Sequence, residues 1–597
     1  VTGAGRLGSG DVTSPNPSSA YSPALGWLLA VPALLGALIT LVLPTAQTIW
    51  LSFQSGGVLR ESTYAGTSNY GKLLGGGEFW SALLFTLSLT LIPLLVAVVV
   101  GPLLALALDR AGTWPRRAGR VALSLAVVVF SPVAVAAAWL RGLMPDAPGL
   151  ATLAEGLREP ATAPGTLRLI VGAATFGVVC ALAVIAFLPA LRGGTPGPAM
   201  LAVGALVALA TVAVGLQTFS IGMVLTKGGP ERSTETLMTL QYAYAFRQAQ
   251  FGPGASVAAL TGVILGALGI AATVVAVVSR LRITLNPRET AQSDTAPAPS
   301  GHHVAPGTPP ASPGPAPFGP SASVPSGPGL AGAVAPGSGP AGADSAVRRP
   351  GAGAVAAGVA ALIVVVVVAL VLAWPWIDGV LASRATPAGT LRAQLNTWVP
   401  ALAGALVSVG VAYLAALGIG GLRPLGRGSE WLLLAFAPWL FVGPGPLAVA
   451  NWQNLRNLDL LDTFPALLPP LLVSVPALFV LTFLCKGLAE RTDRDFFGGV
   501  LLPSLPMAGI LVGAVTLVNA HGLLWPLLVI QDPGMFPTPV AQVTQLSGYA
   551  APAPDVGAAT PLLVVAVALA ALVTAQLLYL DRLAIAANGS QGRARTA

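Results

Sequence analysis

The sequence predicts an all-α, polytopic membrane protein of about 12 transmembrane helices in two six-helix halves. Three observations predict it. Of 597 residues, 54% are hydrophobic and only 9% charged, where a soluble domain carries about 25% charged residues and needs them to cover its surface. Twelve apolar runs are each long enough to cross a bilayer, which takes roughly 20 residues in a helix. A proline-rich break divides the runs six and six. The same numbers exclude a large soluble enzyme domain. Two cysteines, Cys180 and Cys485, and three histidines, His302, His303 and His521, give no disulfide framework and no metal-ligand spacing.

In chain order, residues 1–24 are polar and rich in Ser, Pro and Gly, and read as a disordered cytoplasmic tail rather than a signal peptide. The apolar runs follow at about 26–50, 82–108, 120–140, 167–191, 199–219 and 256–279, making a first half over 25–285. Residues 286–350 hold 15 Pro in 65 residues without apolar periodicity and read as a linker. The second half, 351–585, carries runs at about 355–377, 398–420, 431–451, 466–485, 507–530 and 558–580, and 586–597 is a cytoplasmic tail. With a cytoplasmic N-terminus and twelve crossings, the inner segments hold 19 Lys+Arg against 10 Asp+Glu, and the outer segments 11 against 12. This is the bias expected of a plasma-membrane protein with both termini inside, so the basic charge reads as an orientation signal and not as nucleic-acid binding. Two six-span units predict a path at their interface.

The densest local signal follows the fifth run: Leu225-Thr226-Lys227-Gly228-Gly229-Pro230-Glu231-Arg232-Ser233-Thr234-Glu235-Thr236-Leu237. Gly228-Gly229-Pro230 predicts a turn, since glycine reaches positive φ and proline fixes φ. Ser233 or Thr234 is then placed to cap a short helix with Glu235 and Thr236 in its first turn. This stretch, with Tyr244-Ala245-Phe246 and Phe251-Gly252 after it, resembles the outer loop of the sugar-type, maltose-permease-like permeases of binding-protein-dependent ABC importers. Gly228, Gly229, Pro230, Thr234 and Glu235 carry that resemblance. Pro44 through Leu51-Ser52-Phe53, Asn69-Tyr70, Phe79-Trp80 and Ser131-Pro132 through Trp139 are similar to further pieces of the same family. In the second half Asn396 to Tyr413, Leu461-Asp462-Thr463, Leu501-Leu502-Pro503 with Pro506, and Leu524-Trp525-Pro526-Leu527 resemble the partner permease, in the same order.

The resemblance implies the pore of a type I importer, two permease halves fused in one chain. It implies two cytoplasmic ATP-binding subunits, an extracytoplasmic solute-binding lipoprotein, a neutral sugar substrate and surrounding membrane lipid as partners. It also implies a motor-contacting loop with a short coupling helix in each half. In the second half that loop falls at 485–503, with Lys486, Glu490, Arg491, Asp493, Arg494 and Phe497 as the ATPase-coupling residues. The family's Asp-Gly-Ala slot falls on Glu490-Arg491-Thr492, so its glycine is missing. The first half departs further: its fourth and fifth runs are joined by Arg192-Gly193-Gly194-Thr195-Pro196-Gly197-Pro198, a turn without room for a coupling helix.

Other chemistry is absent. No phosphate-binding G-x-x-x-x-G-K-[ST] occurs, and three lysines could hardly supply one. No cofactor is expected on this chain; ATP would be hydrolysed by partner subunits, and the chain is not an enzyme. No Asp, Glu, Lys or Arg lies near the centre of a predicted span, which argues against proton- or sodium-coupled transport. A neutral sugar is bound by aromatic faces and by amides and hydroxyls. The candidates for its path are Trp139, Gln217, Thr218, Ser220, Asn519 and His521. The alternatives are helix packing or an interfacial belt for Trp139, and interhelical hydrogen bonding for Gln217, Asn519 and His521. The alternative for the whole chain is a degenerate permease that serves as a membrane scaffold or regulatory partner without transport.

Overall fold

A computed structural model describes residues 23–57, 60–142, 151–286, 351–381, 390–491, 495–546, 556–559 and 561–587. Residues 1–22, 287–350 and 588–597, which hold nearly all of the expected tails and linker, lie outside them. The described residues before and after the linker pack as one compact unit.

The fold is all-α with very little sheet. Nine helices among the described residues are long and apolar enough to cross a membrane, ten if one bent pair counts as a single span. The first half holds α1 (Pro23–Ser52), the short antiparallel strands β1 (Gln54–Gly57) and β2 (Arg60–Tyr64), and α2 (Glu78–Arg110). It continues with the pair α3 (Thr113–Val129) and α4 (Pro132–Gly142), then α5 (Ala163–Leu191), α6 (Pro196–Leu225), α7 (Phe251–Val278) and β3 (Arg282–Leu285). The second half holds α8 (Ala352–Leu372), α9 (Leu391–Leu422), α10 (Val475–Ala489), α11 (Phe497–Ala520), α12 (Leu562–Leu578) and β4 (Leu583–Ala586). Ala586, expected in the tail, is thus in a strand.

Three of the expected twelve continuous spans are corrected outright, and a fourth breaks near its end. The run 120–140 bends by 80° between α3 and α4. Pro132 cannot extend a helix and pushes its predecessor to extended geometry, and the Ser131 hydroxyl accepts from the Ala134 N–H to start α4. The run 431–451 is a chain of 3₁₀ turns over Gly426–Ala435 and Ala437–Trp439, followed by the helix Ala448–Asn457. The run 466–485 is helical only from Val475. Irregular backbone survives at membrane depth only where protein covers it. Here Leu433, Phe436, Ala437 and Leu447 through Ala450 are buried, and nearly every residue of α10 is buried as well. The run 507–530 breaks at His521-Gly522 into α11 and a short helix, Leu524–Val529.

Proline also shapes the long helices. Leu38–Val42, Val96–Val100 and Phe497–Leu501 are π-turns, and Pro44, Pro102 and Pro503 each stand two residues beyond one of them. A proline lacks its N–H and its ring crowds the carbonyl four residues back, so the ladder widens by one residue.

Helices are exchanged between the halves. The N-terminal part of α1 packs on α9 of the second half, while α8 packs on α2, α3 and α5 of the first. The last helix of each half does the same: α7 lies on the 437–439 turn and α12 lies on α3. Close approach needs glycine at these crossings. A Cβ on Gly269 would stand 2.1 Å from the Ala437 carbonyl oxygen, and one on Gly358 would stand 2.4 Å from Ala111 Cβ. Polar ties accompany them: Trp439 Nε1 donates to Thr45 Oγ1 at 3.0 Å and Gln576 Nε2 to Ser124 Oγ at 2.7 Å.

Candidate functional site

Six of the seven segments expected on the inner side, all but the N-terminal tail, have described residues that meet at one end of the helices. β3 and β4, each directly after the last helix of its half, pair antiparallel, Arg282 with Ala586 and Leu285 with Leu583. Glycines in the two connections where a coupling loop was expected brace this pair. A Cβ on Gly193 would stand 1.8 Å from the Ile585 carbonyl oxygen, and one on Gly487 would stand 2.1 Å from that of Ile283. Ion pairs tie the rest. Glu490 accepts from Arg282 Nη1 at 3.0 Å and from Arg423 Nη1 at 3.1 Å, and buried Lys486 pairs with Glu430. Asp581 receives Arg116, Arg117, Arg120 and Arg192.

Of the expected coupling residues, then, Lys486 is buried, Glu490 is exposed but tied by its two ion pairs, Arg491 and Phe497 are exposed, and Asp493 and Arg494 lie outside the described residues. Among the described residues no coupling helix stands between α10 and α11, whose ends are Ala489 and Phe497. The first half crosses from Leu191 to Pro196 with none either.

The outer loop is ordered by its own side chains. Lys227, Gly228, Glu231 and Arg232 all have positive φ, and the Gly229–Pro230 peptide is cis. Buried Thr234 donates to the Gly229 carbonyl at 2.6 Å and to Thr226 Oγ1 at 2.8 Å. That use of its hydroxyl leaves the helix cap to Thr236, not to Ser233 or Thr234 as the sequence suggested. Thr236 and Thr239 form a reciprocal capping box at the start of Leu237–Tyr242. Arg232 bridges Glu235 and Glu78, each at 2.7 Å, and the Tyr244 hydroxyl donates to Glu78. Burial lifts the Glu235 carboxyl above its ordinary range even though Arg232 opposes the shift.

The expected path residues do not gather in one place. Trp139 is buried against Val135 and Ile170, a packing role. Gln217 clamps the halves together: its Nε2 donates to the Phe441 carbonyl at 2.7 Å and its Oε1 accepts from the Gly443 N–H at 2.7 Å. The Thr218 carbonyl accepts from Thr236 Oγ1 at 3.1 Å, and half-buried Ser220 begins the helix Ser220–Leu225. Asn519, but not His521, lines a second-half cavity of about 20 Å³, with Asn396, Thr397, Ala401 and Gly522 among others. That is room for about one water. Asn519 Nδ2 donates to the Ala401 carbonyl at 3.3 Å, and His521 meets Trp398 edge-on at 5.7 Å between ring centroids. Asn396 Nδ2 and His521 Nε2 are buried with no hydrogen-bond partner among the described residues. The sequence offered Asn396 only as the first residue of a family-like segment; its unpartnered amide at the cavity adds it to the candidates.

No protein-family profile matches the chain. The multiple sugar-binding transport system permease protein MsmF of Streptococcus mutans is 26% identical over 274 residues, covering 41% of this chain and 92% of that protein. The chain is similar to a sugar-transport permease. This similarity, with the nine or ten apolar helices, supports a permease role for a multi-pass membrane protein.

Proposed function

We propose that the chain is the membrane core of a binding-protein-dependent importer, two permease units fused in one polypeptide, passing a neutral carbohydrate. The observation that carries this reading is the coverage of the relative: 92% of a whole sugar permease aligns within 41% of this chain, which leaves length for a second unit. The reciprocal packing of α1 on α9 and α8 on α2 supports it. The path then runs between the halves, and the β3–β4 pair bars its inner end. Separate ATPases would act on the inner face around Glu490, Arg491 and Phe497, with an external lipoprotein delivering substrate at the opposite end.

One observation favours a second reading, a permease-derived scaffold: the short connections after α5 and α10. One experiment separates the two. The tagged protein is purified from native membranes and its companions are identified, and uptake of labelled sugars is compared between deletion and complemented cells. Recovery of an ATPase and a binding lipoprotein, with uptake restored on complementation, supports the importer. An intact protein recovered without an ATPase, and uptake that does not depend on it, overturns it.

A further inference from the structure

The arginine cluster around Asp581 is over-charged for its setting. Arg116, Arg117, Arg120 and Arg192 share two carboxylates, Asp109 and Asp581. Two positive charges are left over among the described residues. Arg110, which ends α2 beside them, is exposed and makes no ion pair there. The Arg120 side chain is only 3% exposed and that of Arg116 10%, and the buried Arg116 Nε stands 3.5 Å from Asp581 Oδ1, an ion pair too long for a hydrogen bond. Each guanidinium has five N–H donors, so much of the donor capacity is unspent. Burial, then Arg116, hold the Arg192 guanidinium below its ordinary value against the pull of Asp581 and Asp109.

The helix end adds to the imbalance. α3 starts at Thr113 with no side-chain cap and no acidic residue in its first turn, and Arg116 and Arg117 sit there instead. Cations at a helix N-terminus oppose its dipole, whereas an anion is stabilised by it. Trp114 at this end is 71% exposed, and Leu103, two turns before the end of α2, is 61% exposed. A tryptophan and arginines at the end of a membrane helix mark the headgroup level.

We propose that Arg110, Arg116 and Arg117, with the N-terminus of α3, bind the phosphate of an anionic phospholipid whose acyl chains lie along Trp114 and Leu103. The lipid supplies the missing negative charge and holds the corner where α2, α3, α5 and β4 meet.

The test uses the full chain, purified and delipidated in mild detergent, with thermal unfolding followed in mixed micelles. Phosphatidylglycerol should raise the midpoint by at least about 2 °C, while phosphatidylcholine and inorganic phosphate should not. The double variant Arg110→Gln/Arg117→Gln, both exposed, should lose that rise and retain roughly tenfold less phosphatidylglycerol by native mass spectrometry. Equal shifts with both lipids overturn the proposal, and so does an undiminished response in the variant. A full shift from inorganic phosphate alone assigns the site to a soluble anion and overturns the lipid. If the variant does not fold, the wild-type comparison of the two lipids and phosphate still decides.

Discussion

Gln217 shows how a polar side chain in an apolar helix is best read. From the sequence it offered two roles, a sugar contact or an interhelical tie, and the structure places it in the tie. Its amide satisfies the Phe441 carbonyl and the Gly443 N–H, two backbone groups of the irregular ninth pass that no regular helix serves. Gln241, donating to the Gly445 carbonyl at 2.8 Å, continues the same seam. Buried backbone groups cost most when left unpaired. Gln217→Leu therefore strands both partners and should lower stability by about 1–3 kcal/mol, read as a fall in the thermal midpoint in detergent. A midpoint equal to wild type would return Gln217 to the open path. Asn396 and His521 are the opposite case. Each keeps a buried atom without a hydrogen-bond partner among the described residues, and Asn396 lines a cavity of about 20 Å³, where its amide can meet a water.

At the level of elements, the apolar runs were legible because lipid-facing helices must be apolar along their whole length. Nine of them appear as long helices in the expected places. The ninth and tenth passes were misread as straight helices because burial in protein and burial in lipid select the same residues. What the runs could not reveal is that α7 and the end of α1 cover the ninth, and α9 and α11 the tenth. The prolines were visible, but their effect, a π-turn two residues before Pro44, Pro102 and Pro503, needed backbone geometry. The β3–β4 pair was not foreseen at all. Four-residue strands outside the apolar runs carry no periodicity strong enough to find them. Their bracing by Gly193 and Gly487 makes a sharp prediction. Gly487→Val drives a side chain into the Ile283 carbonyl, with a Cβ at 2.1 Å, and should displace β3 or cost about 1–3 kcal/mol. Gly262→Ala, inside α7 with nothing within 4 Å, should not lower stability and should raise it by up to about 1 kcal/mol through alanine's helix preference. Equal midpoints for the two variants would mean that the strand pair is loosely held and does not bar the inner end.

The exchange of helices bears on why the two halves share one chain. The N-terminal part of α1 belongs to the first half by sequence and to the second by packing; Gly36 lies against Val473, and the Thr40 hydroxyl accepts from the Leu472 N–H at 3.3 Å. α8 is the converse, with Gly358 against Ala107 and Ala111. Each half alone would expose the groove that receives the other's helix and would leave its own first helix without a seat. The strand pair and the Gln217 seam add contacts that neither half can make by itself. A peptide link between such partners raises their effective concentration but supplies none of these contacts. The chain cut within the linker should therefore reassemble. Residues 1–315 and 316–597, co-expressed with a tag on one fragment only, should copurify in detergent and unfold in one transition. Each fragment expressed alone should be degraded or aggregate. The exchange also predicts which lesion blocks reassembly. Deleting 316–372, and with it α8, from the second fragment should abolish copurification, while removing only the linker residues 316–349 should not. Recovery of the pair without α8 would show that the exchanged helices are ornaments on an interface held elsewhere.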